Sequence, residues 1–282
     1  MKNLIKQILR EYAEEQEKIM TFPSLKIFNN DWNALQQFLK SKGNPKWKIL
    51  GDLDLYEIPI ESLENLTSVG GNLNLGNTQI KSLGNLTSVG GHLNLNNTPI
   101  ESLGNLTSVS RSLILDNTPI QFLGNLKSVG GNLNLNNTPI QSLGNLTSVG
   151  NNLDLRNTPI KTLGNLSSVG SSLFLRDSLI ESLGNLQYVG GHVDLEGTAI
   201  ESLGNLQSVD STLDLSNSSI KSLGKLTSVG GDLYLIDTVI KSFGNLRSVG
   251  GYLDLRYSLL SKIYTIEEIK KLVDVGKEIH IW

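Results

Sequence analysis

Several residue types are absent or scarce in this chain, and each absence excludes a class of protein. The 282 residues include no cysteine, which excludes disulfide frameworks and thiolate metal sites. No apolar run approaches the roughly 18 residues that a membrane-spanning helix requires. The formal net charge is only −3, without the clustered basic excess that a nucleic-acid-binding surface needs.

The first twenty residues also lack a continuous apolar stretch and a small-residue cleavage site, so we expect a cytoplasmic or virion-associated protein rather than a classically secreted one. They do carry an amphipathic stripe that includes Leu4 and Ile8. This stripe is a candidate for part of the N-terminal cap, for self-association, or for docking to another protein. The nearby glutamates disfavour a membrane-surface helix. The opening MKNLIKQILREYAEE resembles the openings of many tailed-phage proteins.

The dominant feature that is present is a repeat, which extends from Gly51 to Gly250 as ten blocks of twenty residues without insertion or deletion. One copy reads GNLNLNNTPIQSLGNLTSVG (residues 131–150). We number the positions of each block from its first residue, so that Gly51 is position 1. A fixed period indicates that each copy adopts one conformation and stacks on its neighbours. Such an array presents a long surface rather than a catalytic pocket.

Six positions are apolar in nearly every block, namely positions 3, 5, 10, 13, 16 and 19. In the second block they are Leu73, Leu75, Ile80, Leu83, Leu86 and Val89. Leucines at positions 3 and 5 alternate with polar residues, which predicts a short strand with one face inward. We therefore predict a mainly β protein, a right-handed parallel β-solenoid that advances about 4.8 Å per coil.

The polar positions of the repeat are predicted to be structural. Asparagine at position 15, as in Asn85, suits a turn in the left-handed backbone region, and stacked copies could form a ladder of side-chain amides. Threonine at position 8, as in Thr78, is expected to point inward. The glycine pair Gly70–Gly71 and its repeats are expected to supply a positive φ angle before the strand.

Both ends of the repeat carry helical signals, which divide the chain into three predicted segments. Residues 1–46 form an N-terminal helical segment and cap, in which a helix begins at Asn30 or Asp31 and ends near Gly43. Residues 47–260 form the solenoid. Residues 261–282 form a C-terminal cap with a capping box, Thr265-x-x-Glu268, before Ile269, Leu272 and Val273. The stretch VGKEIHIW at the end repeats the strand phrase and predicts one further strand.

The phrase L-x-N-L-x-S-V-G-G-x-L-x-L-x-x-T-x-I resembles the leucine-rich repeat superfamily, and in particular the receptor L-domain branch. The resemblance covers roughly residues 50–260. It departs from ordinary leucine-rich repeats because Thr78 and its equivalents replace the usual asparagine, and because no copy has a helical convex segment. It implies a recognition module without implying a ligand, since this superfamily binds proteins, glycans and lipids.

No arrangement of reactive residues predicts an enzyme. His92 and His192 occupy the same position five coils apart, too far to share a metal ion, and His280 lies in the last predicted strand. The sequence has no nucleophile–base pairing, phosphate-binding loop or HExxH motif. Repeated aspartates occur without the nonapeptide pattern of calcium-binding rolls. We expect no catalytic activity, no cofactor and no metal.

The outward face of the strands is the predicted binding surface. This face is rich in asparagine in the first half of the repeat and diversifies from Asn151 onward, where aromatic and arginine side chains of the types enriched at binding hot spots appear. The candidate patch, centred on Phe174, consists of Asp154, Arg156, Phe174, Arg176, Asp194, Glu196, Asp214 and Tyr234. Drift on an unconstrained surface would produce the same diversity.

Two functions are compatible with these patterns. The first is a non-catalytic recognition scaffold that binds a protein or glycan through the strand face. The second is a structural or spacer protein of an assembly such as a phage virion, attached through residues 1–20. Ice binding by the threonine column is disfavoured, because Thr78 and its equivalents are expected to point inward.

Overall fold

The computed structural model describes residues 19–282, and the repeat in it forms a parallel β-solenoid of stacked twenty-residue coils. Each coil contributes one strand to each of two parallel sheets, and neighbouring strands are in register at equivalent positions of the repeat, as for Leu133 and Leu153. This confirms the predicted fold class. The sequence predicted only one of the two sheets.

The sheet that contains position 3, here called the leucine sheet, has 12 strands among the described residues. They are Leu53–Asp54, Leu73–Asn74, Leu93–Asn94, Leu113–Ile114, Leu133–Asn134, Leu153–Asp154, Leu173–Phe174, Val193–Asp194, Leu213–Asp214, Leu233–Tyr234, Leu253–Asp254 and Ile279–His280.

The second sheet, here called the serine–valine sheet, contains positions 18 and 19 and has 13 strands within residues 19–282. They are Met20–Phe22, Trp47–Ile49, Leu66–Val69, Ser88–Val89, Ser108–Val109, Ser128–Val129, Ser148–Val149, Ser168–Val169, Tyr188–Val189, Ser208–Val209, Ser228–Val229, Ser248–Val249 and Asp274–Val275. The first of these strands precedes the repeat and extends this sheet by one strand beyond the leucine sheet.

The core is one continuous column of apolar side chains between the sheets. All six predicted positions are buried, and in the second coil none of the six side chains is more than 1% exposed. Thr78 at position 8 is buried as well, and its hydroxyl donates to the Leu75 carbonyl at 2.7 Å. The threonine column therefore points inward, as predicted, and forms no exposed hydroxyl array.

The prediction that Gly70–Gly71 and its repeats supply a positive φ angle is wrong. The positive φ angles occur instead at position 7, as in Asn77 with φ 57°, and at position 14, as in Gly84 with φ 55°. At position 20 the coils approach one another closely, since a Cβ on Gly90 would lie 2.1 Å from the Gly70 carbonyl oxygen. Ser110 stands at the same position, so the approach admits a side chain at some coils.

Polar side chains join each coil to the preceding one. The Thr87 hydroxyl donates to the Thr67 carbonyl at 2.9 Å. The predicted amide ladder at position 15 is found only in part. Asn85 Nδ2 donates to Asn65 Oδ1 at 3.1 Å, whereas Asn245 Nδ2 donates to the Gly224 carbonyl at 3.0 Å. Thr87 and Asn245 thereby provide donors for backbone carbonyls of the preceding coil.

The N-terminal end of the core is covered by a short 3-10 helix, Leu25–Phe28, and by helix α1, Trp32–Ser41. Asp31 caps α1 by accepting from the Asn33 amide at 2.8 Å. Trp32, Leu35 and Leu39 are buried on one face of the helix, as its apolar spacing predicts.

The C-terminal end contains helices α2, Leu260–Ile263, and α3, Ile266–Leu272. The capping box between Thr265 and Glu268 is present. Ile269 and Val273 are buried, whereas Leu272 is 47% exposed. The predicted final strand is present and pairs Ile279 with Leu253. The spacing between these two residues is six residues longer than the twenty-residue period.

Candidate functional site

The candidate site lies on the outer face of the leucine sheet, where the side chains at positions 2, 4 and 6 point away from the core. Position 4 has a local structural role that the sequence analysis missed. In eight coils its Asn or Asp side chain accepts a hydrogen bond from the backbone N–H two residues later, over 2.9–3.3 Å. These residues are Asp54, Asn74, Asn94, Asn134, Asp154, Asp194, Asp214 and Asp254.

Four coils break this rule at position 4, with Ile114, Phe174, Tyr234 and His280. None of these side chains offers a carboxylate or amide oxygen to the N–H two residues later. A position that gives up a local stabilising contact without replacing it is a candidate for function. Phe174 and Tyr234 therefore differ from the repeated aspartates around them, whose presence is explained by the turn alone.

The structure brings five of the predicted residues into one column on adjacent strands. Asp154 is in register with Phe174, Phe174 with Asp194, Asp194 with Asp214, and Asp214 with Tyr234. At about 4.8 Å per strand, Phe174 and Tyr234 are roughly 14 Å apart. The other three, Arg156, Arg176 and Glu196, form a parallel column at position 6.

Both arginines of the patch are held by carboxylates. Arg156 donates to Asp154 through Nε at 3.0 Å and through Nη2 at 2.5 Å. The hydrogen bond to Asp154 raises the pKa of Arg156. Arg176 contacts Asp194 at 3.3 Å and pairs with Glu196 on the next coil. The patch is therefore preorganised by internal ion pairs and has no excess positive charge.

Asp194 lies in the candidate patch but does not present a free carboxylate. It lies on the outer face but is only 9% exposed, because the neighbouring side chains cover it. Its Oδ1 caps the Glu196 N–H at 3.2 Å, and its Oδ2 faces Arg176. Asp194 positions the residues around it.

Phe174 is half-buried between two neighbours. The guanidinium carbon of Arg156 lies 5.4 Å from the centre of its ring, and the His192 ring lies 6.1 Å away on the other neighbouring coil. These contacts fix the ring on the strand face at low entropic cost to a partner.

Tyr234 is the second aromatic residue of the column. Its hydroxyl donates to Asp232 Oδ2 at 3.2 Å. Burial raises the pKa of Tyr234, and the nearby carboxylate of Asp232 raises it further. The phenol is thus a neutral donor and acceptor at neutral pH, beside an acidic surface.

A further cluster at the last coils was missed by the sequence analysis. Tyr252 packs on His280 with ring centres 5.7 Å apart, and the Lys277 ammonium lies 4.6 Å from the centre of the Tyr252 ring. Asp254 is 2% exposed and is held by Arg256 at 2.7 Å. The signal was available in VGKEIHIW, because its match to the strand phrase places His280 at position 4, in register with Asp254.

In residues 19–282, no three His, Asp or Glu side chains lie close enough to hold a metal ion. No helix in the same range is long and apolar enough to cross a membrane. The predicted role of residues 1–20 falls almost wholly outside the described residues.

The fold and the outer face of the leucine sheet define the class of protein. It is a parallel β-solenoid repeat protein with twenty-residue coils. Neither a known family model nor a curated protein matches the chain.

Proposed function

We propose that this protein is a non-catalytic recognition scaffold that binds a protein or glycan surface through the outer face of the leucine sheet, centred on Phe174 and Tyr234. The observation that carries the proposal is the loss of the turn-capping side chain at these two positions. Eight coils keep it, while these two coils replace it with an aromatic ring on the outer face. Aromatic residues supply large contact areas and are enriched at binding hot spots.

The electrostatics of the face favour a polar protein or sugar partner over a nucleic acid. The candidate patch contains four carboxylates and two arginines, and both arginines are already paired with carboxylates. A nucleic-acid interface would need unpaired basic side chains along the face. Paired arginines and half-buried rings instead offer directed hydrogen bonds and apolar contact.

We further propose that the repeats belong with the leucine-rich repeat superfamily, near its L-domain branch. The twenty-residue coil with one Leu-x-Leu strand, and the parallel stack of these strands into one long sheet, support this placement. Membership in this superfamily implies that the protein binds its partner through a sheet face whose residues vary from coil to coil.

The test compares three full-length proteins, which are the parent, the double variant Phe174→Ala with Arg176→Glu, and a matched control. The control, Asn94→Ala with Asn96→Glu, changes the same positions 4 and 6 on an asparagine-rich coil. Each is screened on a glycan array and in pull-downs, after circular dichroism has shown that it is folded. The double variant should lose at least tenfold in affinity for a partner that the parent and the control share. Equal binding by all three would refute this site.

A further inference from the structure

The N-terminal edge of the leucine sheet carries backbone acceptors that lack donors among the described residues. The N–H groups at positions 3 and 5 of each coil, and at position 7 of most coils, donate to carbonyls of the next coil, as Leu53 does to Asn72 at 2.8 Å and Leu55 does to Asn74 at 2.9 Å. The equivalent carbonyls of the first coil belong to Asp52, Asp54 and Tyr56. Within residues 19–282, no backbone donor reaches them.

The reason for this open edge lies in the N-terminal cap. Met20–Phe22 adds a strand to the serine–valine sheet before the first coil. Pro23 and Ser24 then stand where later coils have position 20 and position 1. From there the chain turns into the 3-10 helix Leu25–Phe28 and adds no strand to the leucine sheet. Within residues 19–282, no strand lies beside Leu53–Asp54 on this side.

A cleft lies on this side of Leu53–Asp54. It has a volume of about 530 Å³ and is lined on one side by Ser24, Leu25, Lys26 and Asn30 of the cap, and on the other by Asp52 and Asp54 of the edge. This volume is within the range of ligand-binding clefts. Charged residues at an edge strand often only prevent aggregation, but here a second wall encloses the edge.

We propose that this cleft binds an extended peptide segment of a partner protein, which adds a parallel strand to the leucine sheet. Peptide N–H groups would donate to the carbonyls of Asp52 and Asp54, as the N–H groups of each coil do in the rest of the sheet. Strand addition of this kind takes its affinity from main-chain hydrogen bonds and its specificity from alternate side chains. The cleft is about 29 Å from Phe174, six strands away along the sheet.

The edge also specifies the side chains of that peptide. Residues opposite Asp52 and Asp54 would point outward beside two carboxylates, each of which uses only Oδ1 in an internal hydrogen bond. Basic residues fit there, because opposite charges on adjacent strands attract. Lys26 offsets part of this charge but is exposed. The residue between them would face inward beside the apolar Leu53 and Leu25, so the expected pattern is basic, apolar, basic.

The experiment titrates the isotopically labelled full-length protein with the peptide acetyl-Ser-Lys-Val-Lys-Val-Ser-amide and follows its amide resonances by NMR. Changes should concentrate in residues 24–30 and 52–57. The same peptide with both valine nitrogens methylated lacks the two donors and should bind about tenfold or more weakly. A peptide with Glu in place of both Lys should bind several-fold more weakly.

A pair of protein variants tests the charge. Asp54→Asn keeps the turn cap and should weaken the lysine peptide by about two- to fivefold. Asp116→Asn, on the same face three coils away, should leave the affinity unchanged. The proposal is overturned by absence of binding at millimolar peptide, by equal binding of the N-methylated peptide, or by resonance changes that map elsewhere. Equal binding of the Glu and Lys peptides would overturn the assigned preference for basic residues.

Discussion

The guanidinium carbon of Arg156 lies 5.4 Å from the centre of the Phe174 ring on the adjacent strand. Asp154 holds Arg156 in place through two hydrogen bonds and, two residues before it, also caps its backbone N–H. The ring therefore stands on a rigid support. It also occupies a position where most coils have a capping Asn or Asp.

This relationship predicts a separation of stability from binding at residue 174. Phe174→Asn restores the side-chain oxygen that caps the Arg176 N–H, whereas Phe174→Ala does not. We expect the Asn variant to be more stable than the Ala variant by about 0.5–1.5 kcal/mol in urea unfolding, which is the net value of one hydrogen bond. Both variants should lose partner binding. An Ala variant as stable as the Asn variant would show that the cap contributes nothing at this coil.

The buried hydroxyl column predicts a second effect. Thr138 is 2% exposed, and its Oγ1 donates to the Leu135 carbonyl at 2.6 Å. Thr138→Val keeps the shape but removes the donor, and should lower the free energy of unfolding by about 1–3 kcal/mol. Thr138→Ser keeps the donor, as the natural Ser178 does, and should lose less than about 1 kcal/mol. Chemical unfolding of the two variants side by side measures this difference. A valine variant more stable than the serine variant would contradict the role of the hydroxyl.

Backbone strain predicts a stabilising substitution at position 7 of the coil that follows Gly250. Tyr257 has φ 61° and is 72% exposed, whereas this position holds Asn, Asp or Gly in the nine coils before it. Bulky residues are disfavoured in this region of backbone conformation. We expect Tyr257→Asn to raise the free energy of unfolding by about 1 kcal/mol. Asn137→Tyr, at φ 56°, serves as the matched control and should change stability in the opposite direction.

The capping box of α3 predicts an acid-dependent stability. The Thr265 backbone N–H and hydroxyl both donate to Glu268, at 2.9 Å each, and these bonds lower the pKa of Glu268. Because the pKa is lower in the folded state, the stabilisation is complete above the unfolded pKa, about 4.3. It is lost as the pH falls through the folded pKa.

The measurement is the difference in unfolding free energy between the parent and Glu268→Gln as a function of pH. The difference should be constant near neutral pH and should vanish in acid. A difference that does not change with pH would show that the charge of Glu268 plays no part in the cap.

Much of the fold could be predicted from the sequence, because the buried positions of a single coil are occupied by apolar residues at a regular spacing. Leucines at positions 3 and 5 identified one strand by alternation, and the other apolar positions identified the rest of the core. The capping box at Thr265 and the cap at Asp31 were also visible, because both depend on residues at most three apart. The outward direction of Phe174 and Arg176 followed from the same alternation.

Features that depend on contacts between coils were decided only by the tertiary structure. The serine–valine sheet, the close approach at Gly90 and the pairing of Arg176 with Glu196 all join residues about twenty positions apart, and nothing in one coil specifies how the next one packs on it. The low exposure of Asp194 is another such feature, since the Arg176 side chain that contacts it comes from the neighbouring strand. The sequence by itself determined which side chains face the core. Stacking decided which backbone groups meet, which charges pair, and at which edge of the leucine sheet the carbonyls of Asp52 and Asp54 have no backbone donor among residues 19–282.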